Sequence, residues 1–408
     1  MTSKITQISG GICAPKGFRA SGVHAGIRRN TAKKDLALIV SEVPAKGAGV
    51  YTRNLVKGAP LLVTQKHLQN GTAQAIICNS GNANTCNADG IATAMQMTEL
   101  TADALGIASE HVLVASTGVI GVPLEIAPIA VALPNLVQTL NQDGSTAAAE
   151  AIMTTDTVAK EIAVEFELGG VTCRIGGIAK GSGMIHPDLA TMLVFLTTDV
   201  AISRDLLADA LSTDVASSFN MITVDGDTST NDMALLLANG MAGNLKITEK
   251  NADFAVFMQA LNTVTVYLCR LLAGDGEGAT HLIECAVKGA QTDADARKMA
   301  KAIIASALVK TAIFGADANW GRVLCAIGYS GAQVDINGID LDFVSAAGQI
   351  AVCRNGAGIV FNEAEAKKVL SAPEVTILVT AHDADGEATG WGCDLTYDYV
   401  KINGDYRT

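Results

Sequence analysis

One threonine stands where a glycine-rich loop meets an apolar run. Thr191 follows the loop that begins at Lys180, and the residues from Met192 to Leu196 are all apolar. An apolar run bounded by turn residues predicts a buried strand, so Thr191 would stand at its start. A threonine hydroxyl is a poor nucleophile unless a base lies beside it. Cleavage of the chain just before Thr191 would supply the residue's own α-amine as that base.

The loop suits such a cleavage. Gly181 and Gly183 allow backbone conformations closed to other residues, and Pro187 fixes one dihedral. A strained peptide between Ala190 and Thr191 would let the hydroxyl attack the preceding carbonyl, and water would hydrolyse the resulting ester. The freed α-amine would have an ordinary pKa of about 7.7–8.0, near neutrality as a general base requires. The spacing alone also fits an ordinary glycine-rich turn before an ordinary strand.

A second candidate is the segment that follows the apolar run Val112–Ala115. Thr117 and Gly118 come at the end of this predicted strand. They offer a hydroxyl and a backbone N–H with little side-chain bulk around them, which is suited to holding a developing oxyanion. A strand-to-helix turn, with the glycine required only for its backbone, is the other interpretation.

Other motifs indicate less. The stretch Asp225–Asp232 alternates acidic and amide residues but has Thr230 and Leu236 where a calcium-binding EF-hand needs Gly and Glu, so a polar turn is predicted. The glycines around Glu277 could end a helix, or leave this carboxylate free to meet an amine. The six histidines are widely separated, so no metal site is expected. No phosphate-binding glycine motif and no serine-hydrolase motif is present, and no cofactor is expected.

Composition limits the fold class and the partners. Of 408 residues, 49% are hydrophobic but only 4% aromatic, so the core must be built from small aliphatic side chains. This favours layered α/β packing, with two lobes that join near Thr191. The net charge of −12 argues against nucleic acid or an anionic membrane as a partner.

The cysteines and the absence of targeting segments indicate the compartment. Nine cysteines without CxxC spacing, several in apolar runs, predict reduced buried thiols in a cytoplasmic protein; examples are Cys78, Cys285 and Cys325. Neither a secretion signal nor a membrane span is expected.

The apolar periodicity predicts alternating strands and helices. The predicted strands are Leu36–Ser41, Ala75–Asn79, Val112–Ala115, Leu193–Thr197, His281–Val287, Val323–Ile327 and Val375–Val379. The predicted helices are Thr93–Leu105, Leu124–Leu140, Ser203–Phe219, Ala252–Leu272, Asp293–Leu308 and Asn362–Leu370.

Taken together, the motifs resemble the glutamate N-acetyltransferase family, also called ornithine acetyltransferase, of arginine biosynthesis. The resemblance covers essentially the whole chain. One local departure is Asp188-Leu189, where the family more often has a methionine before Ala-Thr. The matching segments, in order, are Ser80–Asn84, Ser116–Gly121, Met153–Thr157, Lys180–Met184, Ala190–Leu193, Asp225–Asp232, Gly274–Gly278, Asn319–Arg322 and Asn403–Thr408.

The resemblance implies an acyltransferase that cleaves itself between Ala190 and Thr191 into chains 1–190 and 191–408, which stay associated. Thr191 would take the acetyl group of N2-acetyl-L-ornithine and pass it to L-glutamate in a ping-pong course. Thr117 and Gly118 would hold the oxyanion. The implied substrate contacts are Thr154, Lys180, Thr191, Glu277, Asn403 and Thr408.

The resemblance also implies a four-layer α/β/β/α sandwich of the self-cleaving N-terminal-threonine type, assembled from two copies of each chain. Some members also use acetyl-CoA as donor, and the sequence does not decide between the two modes. An aminopeptidase or amidohydrolase on the same scaffold is one alternative, because water could replace glutamate as acceptor. A non-catalytic amino-acid-binding protein is the other, although the presence of Thr191, Thr117, Gly118 and Lys180 together argues against it.

Overall fold

The computed structural model describes residues 4–186 and 192–405. In the first of these ranges the strands are β1 Thr6–Ile8, β2 Phe18–Val23, β3 Leu36–Tyr51, β4 Thr72–Asn82, β5 Val112–Val119, β6 Lys160–Leu168 and β7 Val171–Lys180. In the second they are β8 Leu193–Thr198, β9 Ile222–Thr223, β10 Met233–Ala238, β11 Leu282–Ala290, β12 Asp340–Ser345, β13 Gly348–Arg354, β14 Ala357–Gly358, β15 Glu374–Thr380 and β16 Gly386–Cys393.

The α-helices of the same two ranges connect these strands. They are α1 Ala59–His67, α2 Gly90–Leu105, α3 Ile126–Gln138, α4 Ser145–Ile152, α5 Arg204–Ser217, α6 Ala252–Gly274, α7 Asp293–Ala305, α8 Ala307–Phe314, α9 Trp320–Gly328, α10 Glu363–Leu370 and α11 Tyr397–Gly404.

The strands form two mixed sheets. The nine-stranded sheet has the order β1-β6-β7-β8-β10-β3-β4-β5, with β2 paired to β3, and the seven-stranded sheet has the order β14-β13-β12-β15-β11-β16-β9. Helix α6 packs against strands of both sheets, α7 covers β11 and β16, and α4 lies against β2 and β3. The prediction of a layered α/β sandwich is confirmed. Its core is filled mainly by aliphatic side chains, as the scarcity of aromatic residues predicts.

The centre of the nine-stranded sheet contains the strand predicted after Thr191. Every residue of β8 and β10 is buried. Strands covered on both faces read as continuous apolar runs, which explains why β8 was visible in the sequence. Strand β8 is antiparallel to β7, with Leu193 opposite Lys180, and parallel to β10, with Leu193 opposite Met233. Strands from both sides of the predicted cleavage point therefore lie in one sheet.

The strand predicted at Val323–Ile327 is wrong, because this segment lies in helix α9. The Asn319 side chain caps the helix by accepting a hydrogen bond from the Arg322 N–H. The buried residues Val323, Ala326 and Ile327 follow helical spacing, so a five-residue apolar run was misread. Cys325 consequently lies on the exposed side of the helix, whereas seven of the nine cysteines, Cys78 and Cys285 among them, are buried as predicted. The predicted helix Asp293–Leu308 is divided by Ser306, which caps α8.

Helix α6 is the longest apolar helix of the described ranges. By length and composition alone its 23 residues could cross a membrane. Side chains such as Phe257, Leu261, Val264 and Leu268 are fully buried in the protein interior. The helix therefore has the burial of a core helix that joins the two sheets.

Candidate active site

The predicted oxyanion donors lie near the end of β5, at the edge of the nine-stranded sheet. Strand β5 is parallel to β4, and Thr117 and Gly118 pair with Ser80 and Gly81. Gly118 has a φ of 136°, which only glycine adopts readily. A Cβ atom at this position would lie 2.3 Å from the carbonyl carbon of Gly81. Glycine is therefore required at position 118 by the close approach of β4.

Lys180 brings a buried cation to Thr117. It is the last residue of β7, and its Nζ donates a hydrogen bond to Thr117 Oγ1 at 3.4 Å. Two residues predicted for different roles, 63 positions apart in the chain, thus meet in the structure. A hydroxyl and an ammonium side by side form a local environment that favours negative charge.

Asp156 balances this cation, and sequence reasoning missed it. Burial alone would raise its pKa, but the nearby cations Lys180 and Lys160 lower the pKa to about 2. The Lys160 Nζ lies 2.7 Å from Asp156 Oδ1, and the Thr154 N–H donates to Asp156 Oδ2 at 2.9 Å. The predicted substrate residue Thr154 is therefore placed beside the same carboxylate as Lys180. The position of Asp156 in the matching segment Met153–Thr157, four residues before Lys160, was the available signal.

The buried charges continue towards Glu277. Lys160 Nζ also lies 2.5 Å from Asp275 Oδ2, so it bridges two carboxylates. The Ser182 hydroxyl donates to the Asp275 carbonyl oxygen at 2.6 Å, and the Glu277 N–H donates to the Ser182 carbonyl oxygen at 2.9 Å. The loop after Lys180 is thereby fixed to the loop that contains Glu277.

Glu277 and Asn403 are the second pair of predicted substrate residues that the structure brings together. The Asn403 side-chain amide donates to Glu277 Oε2 at 2.7 Å, and Glu277 is buried. A Cβ atom on Gly183 would lie 2.4 Å from the Glu277 carboxyl carbon, so the glycine allows the carboxylate to approach the loop backbone. Helix α11, which ends at Gly404, thus presents Asn403 to this carboxylate.

The stretch Asp225–Asp232 is a polar turn, as predicted, and it fixes the loop 184–186. Asp225 accepts hydrogen bonds from the backbone N–H groups of Met184 at 2.6 Å and Ile185 at 2.9 Å. It also accepts one from the Tyr399 hydroxyl at 3.1 Å. Burial and the neighbouring Asp225 raise the pKa of Tyr399, so this hydroxyl stays protonated and can donate.

Three predicted residues, Ala190, Thr191 and Thr408, lie outside the described residues. The described structure resumes at Met192, whose carbonyl oxygen accepts a hydrogen bond from the Met233 N–H at 3.0 Å. Strand β8 then places Leu193 between Lys180 and Met233. The chain that follows position 191 therefore begins next to the strand end that holds Lys180.

Asp232 stands just before β10 and is another residue that sequence reasoning missed. It is buried, and its Oδ2 has no hydrogen-bond partner among the described residues. Burial raises its pKa well above the ordinary value, and a hydrogen bond from Ser229 and the charge of Lys180 offset only part of this. Nothing in the sequence distinguishes it from the other acids of its turn, because its burial depends on where β10 enters the sheet.

The site thus combines donors for an anion with carboxylates for a cation. Lys180, the Thr117 hydroxyl and the Gly118 backbone offer positive charge and hydrogen-bond donors, while Glu277 offers a buried carboxylate. In the two described ranges, no group of three or more His, Cys, Asp or Glu residues could hold a metal ion. This arrangement can bind a zwitterionic substrate and stabilise the negative charge that develops during acyl transfer.

Comparisons with known proteins show to which family the chain belongs. A model of the ArgJ family matches residues 19–408. The arginine biosynthesis bifunctional protein ArgJ of Symbiobacterium thermophilum is 53% identical over 403 residues, covering 98% of this chain and 99% of the relative. The protein of the same name from Bacillus subtilis is 48% identical over 407 residues, covering 99% and 98%. The crystal structure of ArgJ from Bacillus halodurans has 47% identity and a TM-score of 0.49, covering 52% of this chain and 98% of that one. The chain therefore belongs to the ArgJ family of arginine-biosynthesis acetyltransferases.

Proposed function

We propose that this enzyme transfers an acetyl group from N2-acetyl-L-ornithine to L-glutamate through an acetyl-threonine intermediate on Thr191. The observation that carries the proposal is the contact between Lys180 and Thr117, beside Gly118 and next to the start of β8. This contact supports an anion-stabilising role for Lys180 and Thr117 towards a nucleophile at the start of β8. The curated relatives are named as bifunctional arginine biosynthesis proteins, which agrees with an acetyl-transfer role.

The reaction would begin with cleavage between Ala190 and Thr191, which gives chains 1–190 and 191–408. The Thr191 hydroxyl then attacks the acetyl carbonyl carbon while the α-amine accepts the hydroxyl proton. The Thr117 hydroxyl and the Gly118 N–H hold the resulting oxyanion. Collapse of this intermediate breaks the amide C–N bond, and the α-amine returns the proton to the departing ornithine nitrogen. The amine of glutamate then attacks the acetyl carbonyl carbon of the ester and gives up a proton to the α-amine of Thr191. The bond between the acetyl carbon and Thr191 Oγ1 breaks, this oxygen takes the proton back, and N-acetyl-L-glutamate leaves.

The substrate charges would be matched by the two pairs described above. The Lys180 ammonium suits the α-carboxylate that both amino acids carry. The Glu277 carboxylate, held by Asn403, suits the side-chain ammonium of ornithine. Thr154 and Thr408 would complete the substrate contacts. Glutamate lacks a cationic side chain, so its second carboxylate would lie away from Glu277.

The two chains would stay together after cleavage and act in the cytoplasm as an assembly of two copies of each. Support for their association comes from the pairing of β7 with β8 and from the bridge between Lys160 and Asp275, which both join residues on opposite sides of the cleavage point. The word "bifunctional" in the relatives' names supports a second activity, in which acetyl-CoA also serves as donor.

The first test is the intact mass of the purified protein under denaturing conditions, together with N-terminal sequencing. We expect two chains, the second beginning Thr-Met-Leu-Val-Phe, and we expect Thr191→Ala to remain one chain. Incubation with N2-acetyl-L-ornithine should then add an acetyl group to the second chain, and L-glutamate should remove it. Acetyl-CoA in place of acetylornithine tests the second activity.

Two results would contradict the proposal. A protein that stays uncleaved has no free α-amine at Thr191 and would favour an amino-acid-binding role. A cleaved protein that deacetylates N2-acetyl-L-ornithine at the same rate with and without glutamate would be a hydrolase.

A further inference from the structure

The side chain of Asn231 is buried at the end of the polar turn and uses its full hydrogen-bonding capacity. Its Nδ2 donates to the carbonyl oxygen of Ser116 at 3.0 Å and to that of Ala83 at 2.6 Å. Its Oδ1 accepts from the hydroxyl of Thr85 at 2.5 Å and from that of Thr230 at 2.7 Å. A carboxamide has two N–H donors and an oxygen with two lone pairs, and all four are used here.

These contacts hold the segment that contains the predicted oxyanion donors from both ends. Ser116 directly precedes Thr117, and Asn231 binds its carbonyl oxygen. Ala83, the other carbonyl partner of Asn231, donates its own N–H to the Val119 carbonyl oxygen at 2.8 Å, just after Gly118. The Asn231 side chain thus links the backbone of Ser116, just before Thr117, to the backbone of Ala83. Ala83 in turn holds Val119, just after Gly118.

The position of β5 explains why a side chain is needed there. Strand β5 is an edge strand, so the backbone groups on its outer side have no neighbouring strand to bind. Side chains supply the partners instead. His67 Nδ1 lies 2.8 Å from the Val112 carbonyl oxygen, the Thr64 hydroxyl bonds the N–H and carbonyl of Val114, and Asn231 bonds Ser116. Gly118 lies two residues after Ser116, where the pairing of β5 with β4 becomes irregular.

We infer that Asn231 is a positioning residue for the oxyanion donors Thr117 and Gly118, supplied by the chain that follows the predicted cleavage point. The inference rests on the proposed acetyl transfer. Donors stabilise an oxyanion only when they lie within about 2.7–3.1 Å of its position, so a small shift of β5 weakens both of them. The fit around Asn231 is close, because a Cβ atom on Gly58 would lie 2.6 Å from its amide atoms.

The test is Asn231→Asp, which keeps the shape but has no N–H to give Ser116 and Ala83. Activity is expressed per active site, counted from the burst of acetylated second chain. We expect kcat to fall about tenfold or more, a loss below the roughly 10²–10³-fold seen when a donor itself is removed. KM should stay within about threefold, because none of the hydrogen bonds described for the Asn231 side chain goes to Thr154, Lys180, Glu277 or Asn403.

The matched control is Asn244→Asp. Asn244 is also buried, and its amide also binds two carbonyl oxygens, those of Ala201 and Leu245, but it lies at the other end of β8 and β10. We expect this variant to lose stability while it keeps its kcat per active site. An equal loss of kcat in both variants would overturn the inference, since it would reflect general destabilisation.

A double-mutant cycle adds a measurement that a purely structural role would not change. If Asn231 acts through the donors, Asn231→Asp should cost less in a Thr117→Val background than in the unmodified enzyme. Losses that simply multiply, or an unchanged kcat in Asn231→Asp, would overturn the inference. If Asn231→Asp does not mature, Asn231→Ser is measured in the same cycle. Failure of the proposed function is distinct from these results, because the unmodified enzyme would then form no acetylated chain.

Discussion

At the scale of single residues, the site depends on buried charges that compensate one another. Lys180 and Glu277 were predicted from the resemblance to the family, and a cation and a carboxylate are consistent with it because they suit the charged groups of an amino acid. Asp156, which balances Lys180, was missed even though it lies in one of the same motifs. Asp232 could not be found, because nothing in a sequence shows that one acid of a polar turn is buried with a carboxylate oxygen, Oδ2, that has no hydrogen-bond partner among the described residues.

Asp156 leads to a prediction about acid stability. Burial opposes its charge, but Lys180 and Lys160 hold its pKa at about 2, below the ordinary 3.8. A carboxyl with a lowered pKa stabilises the folded state above its unfolded pKa and loses this contribution as the pH falls. Between about pH 4 and pH 2 the unmodified protein should therefore lose about 2 kcal/mol of unfolding free energy that Asp156→Asn does not lose. Urea unfolding across this range measures it.

The control for this prediction is Asp214→Asn in helix α5. Burial raises the pKa of Asp214, and hydrogen bonds from Thr265, Asn262 and Ser218 offset only part of this. A raised pKa costs stability as the pH rises above the ordinary value of 3.8. When the pH series is extended above pH 4, the stability of the unmodified protein relative to Asp214→Asn should therefore fall as the pH rises, opposite to the trend for Asp156. The same pH trend in both variants would contradict the assignment of Asp156.

At the scale of elements, the outer edge of β5 predicts a substitution that lowers the stability of the protein but leaves its kcat unchanged. The Thr64 hydroxyl accepts from the Val114 N–H at 2.8 Å and donates to the Val114 carbonyl oxygen at 2.7 Å. Thr64→Val keeps the shape but leaves two buried backbone groups unpaired, so the free energy of unfolding should fall by about 2–4 kcal/mol. Thr139→Val removes a comparable bond at the exposed end of α3 and should change it by less than about 0.5 kcal/mol.

This prediction is checked by urea unfolding of Thr64→Val, Thr139→Val and the unmodified protein, together with kcat per active site. The kcat of matured Thr64→Val should be retained, because Thr64 binds β5 two residues before the segment that Asn231 holds. A large loss of kcat in Thr64→Val would show that the whole edge, and not Asn231 in particular, positions the donors.

Helices and strands could be predicted where the apolar periodicity was clear over many residues. Helices α2, α3, α5, α6 and α10 and the buried strands β4, β8 and β11 overlap their predicted ranges. Strand Val323–Ile327 failed because five apolar residues fit a helix as well as a strand. The hairpin of β6 and β7 was missed, although Gly169 and Gly170 carried its signal: both have positive φ in a two-residue turn between alternating runs.

At the scale of the whole molecule, the partition of the sheets could not be read from the sequence. The two predicted chains, 1–190 and 191–408, share the nine-stranded sheet, in which β8 and β10 lie between β7 and β3. Pairing between strands distant in sequence leaves no periodic signal. The sequence pattern therefore predicted only two lobes that join near Thr191, and not which strands share a sheet. The shared sheet means that neither chain can form this core alone.

This arrangement predicts that the cleaved protein melts as a two-chain complex. Since folding then requires association, its Tm should rise with protein concentration, whereas the Tm of uncleaved Thr191→Ala should depend on concentration less. Lys160→Met should weaken the association of the two chains and so make the Tm of the cleaved protein depend more on concentration. Lys160 is fully buried and bridges Asp156 of one chain and Asp275 of the other. Its loss leaves the Asp275 carboxylate without this cation and Asp156 with Lys180 alone, at a cost of about 3–5 kcal/mol.

The matched control is Lys34→Met. Lys34 pairs with Glu150 at 2.6 Å within the first chain, and both side chains are more than a third exposed, so its loss should cost less than about 1 kcal/mol. Calorimetry at several concentrations and size-exclusion chromatography in moderate urea measure the association. Lys160→Met should release free chains at a urea concentration at which Lys34→Met and the unmodified protein remain paired. If all three dissociate together, the shared sheet alone holds the chains, and the buried bridge contributes nothing to their association.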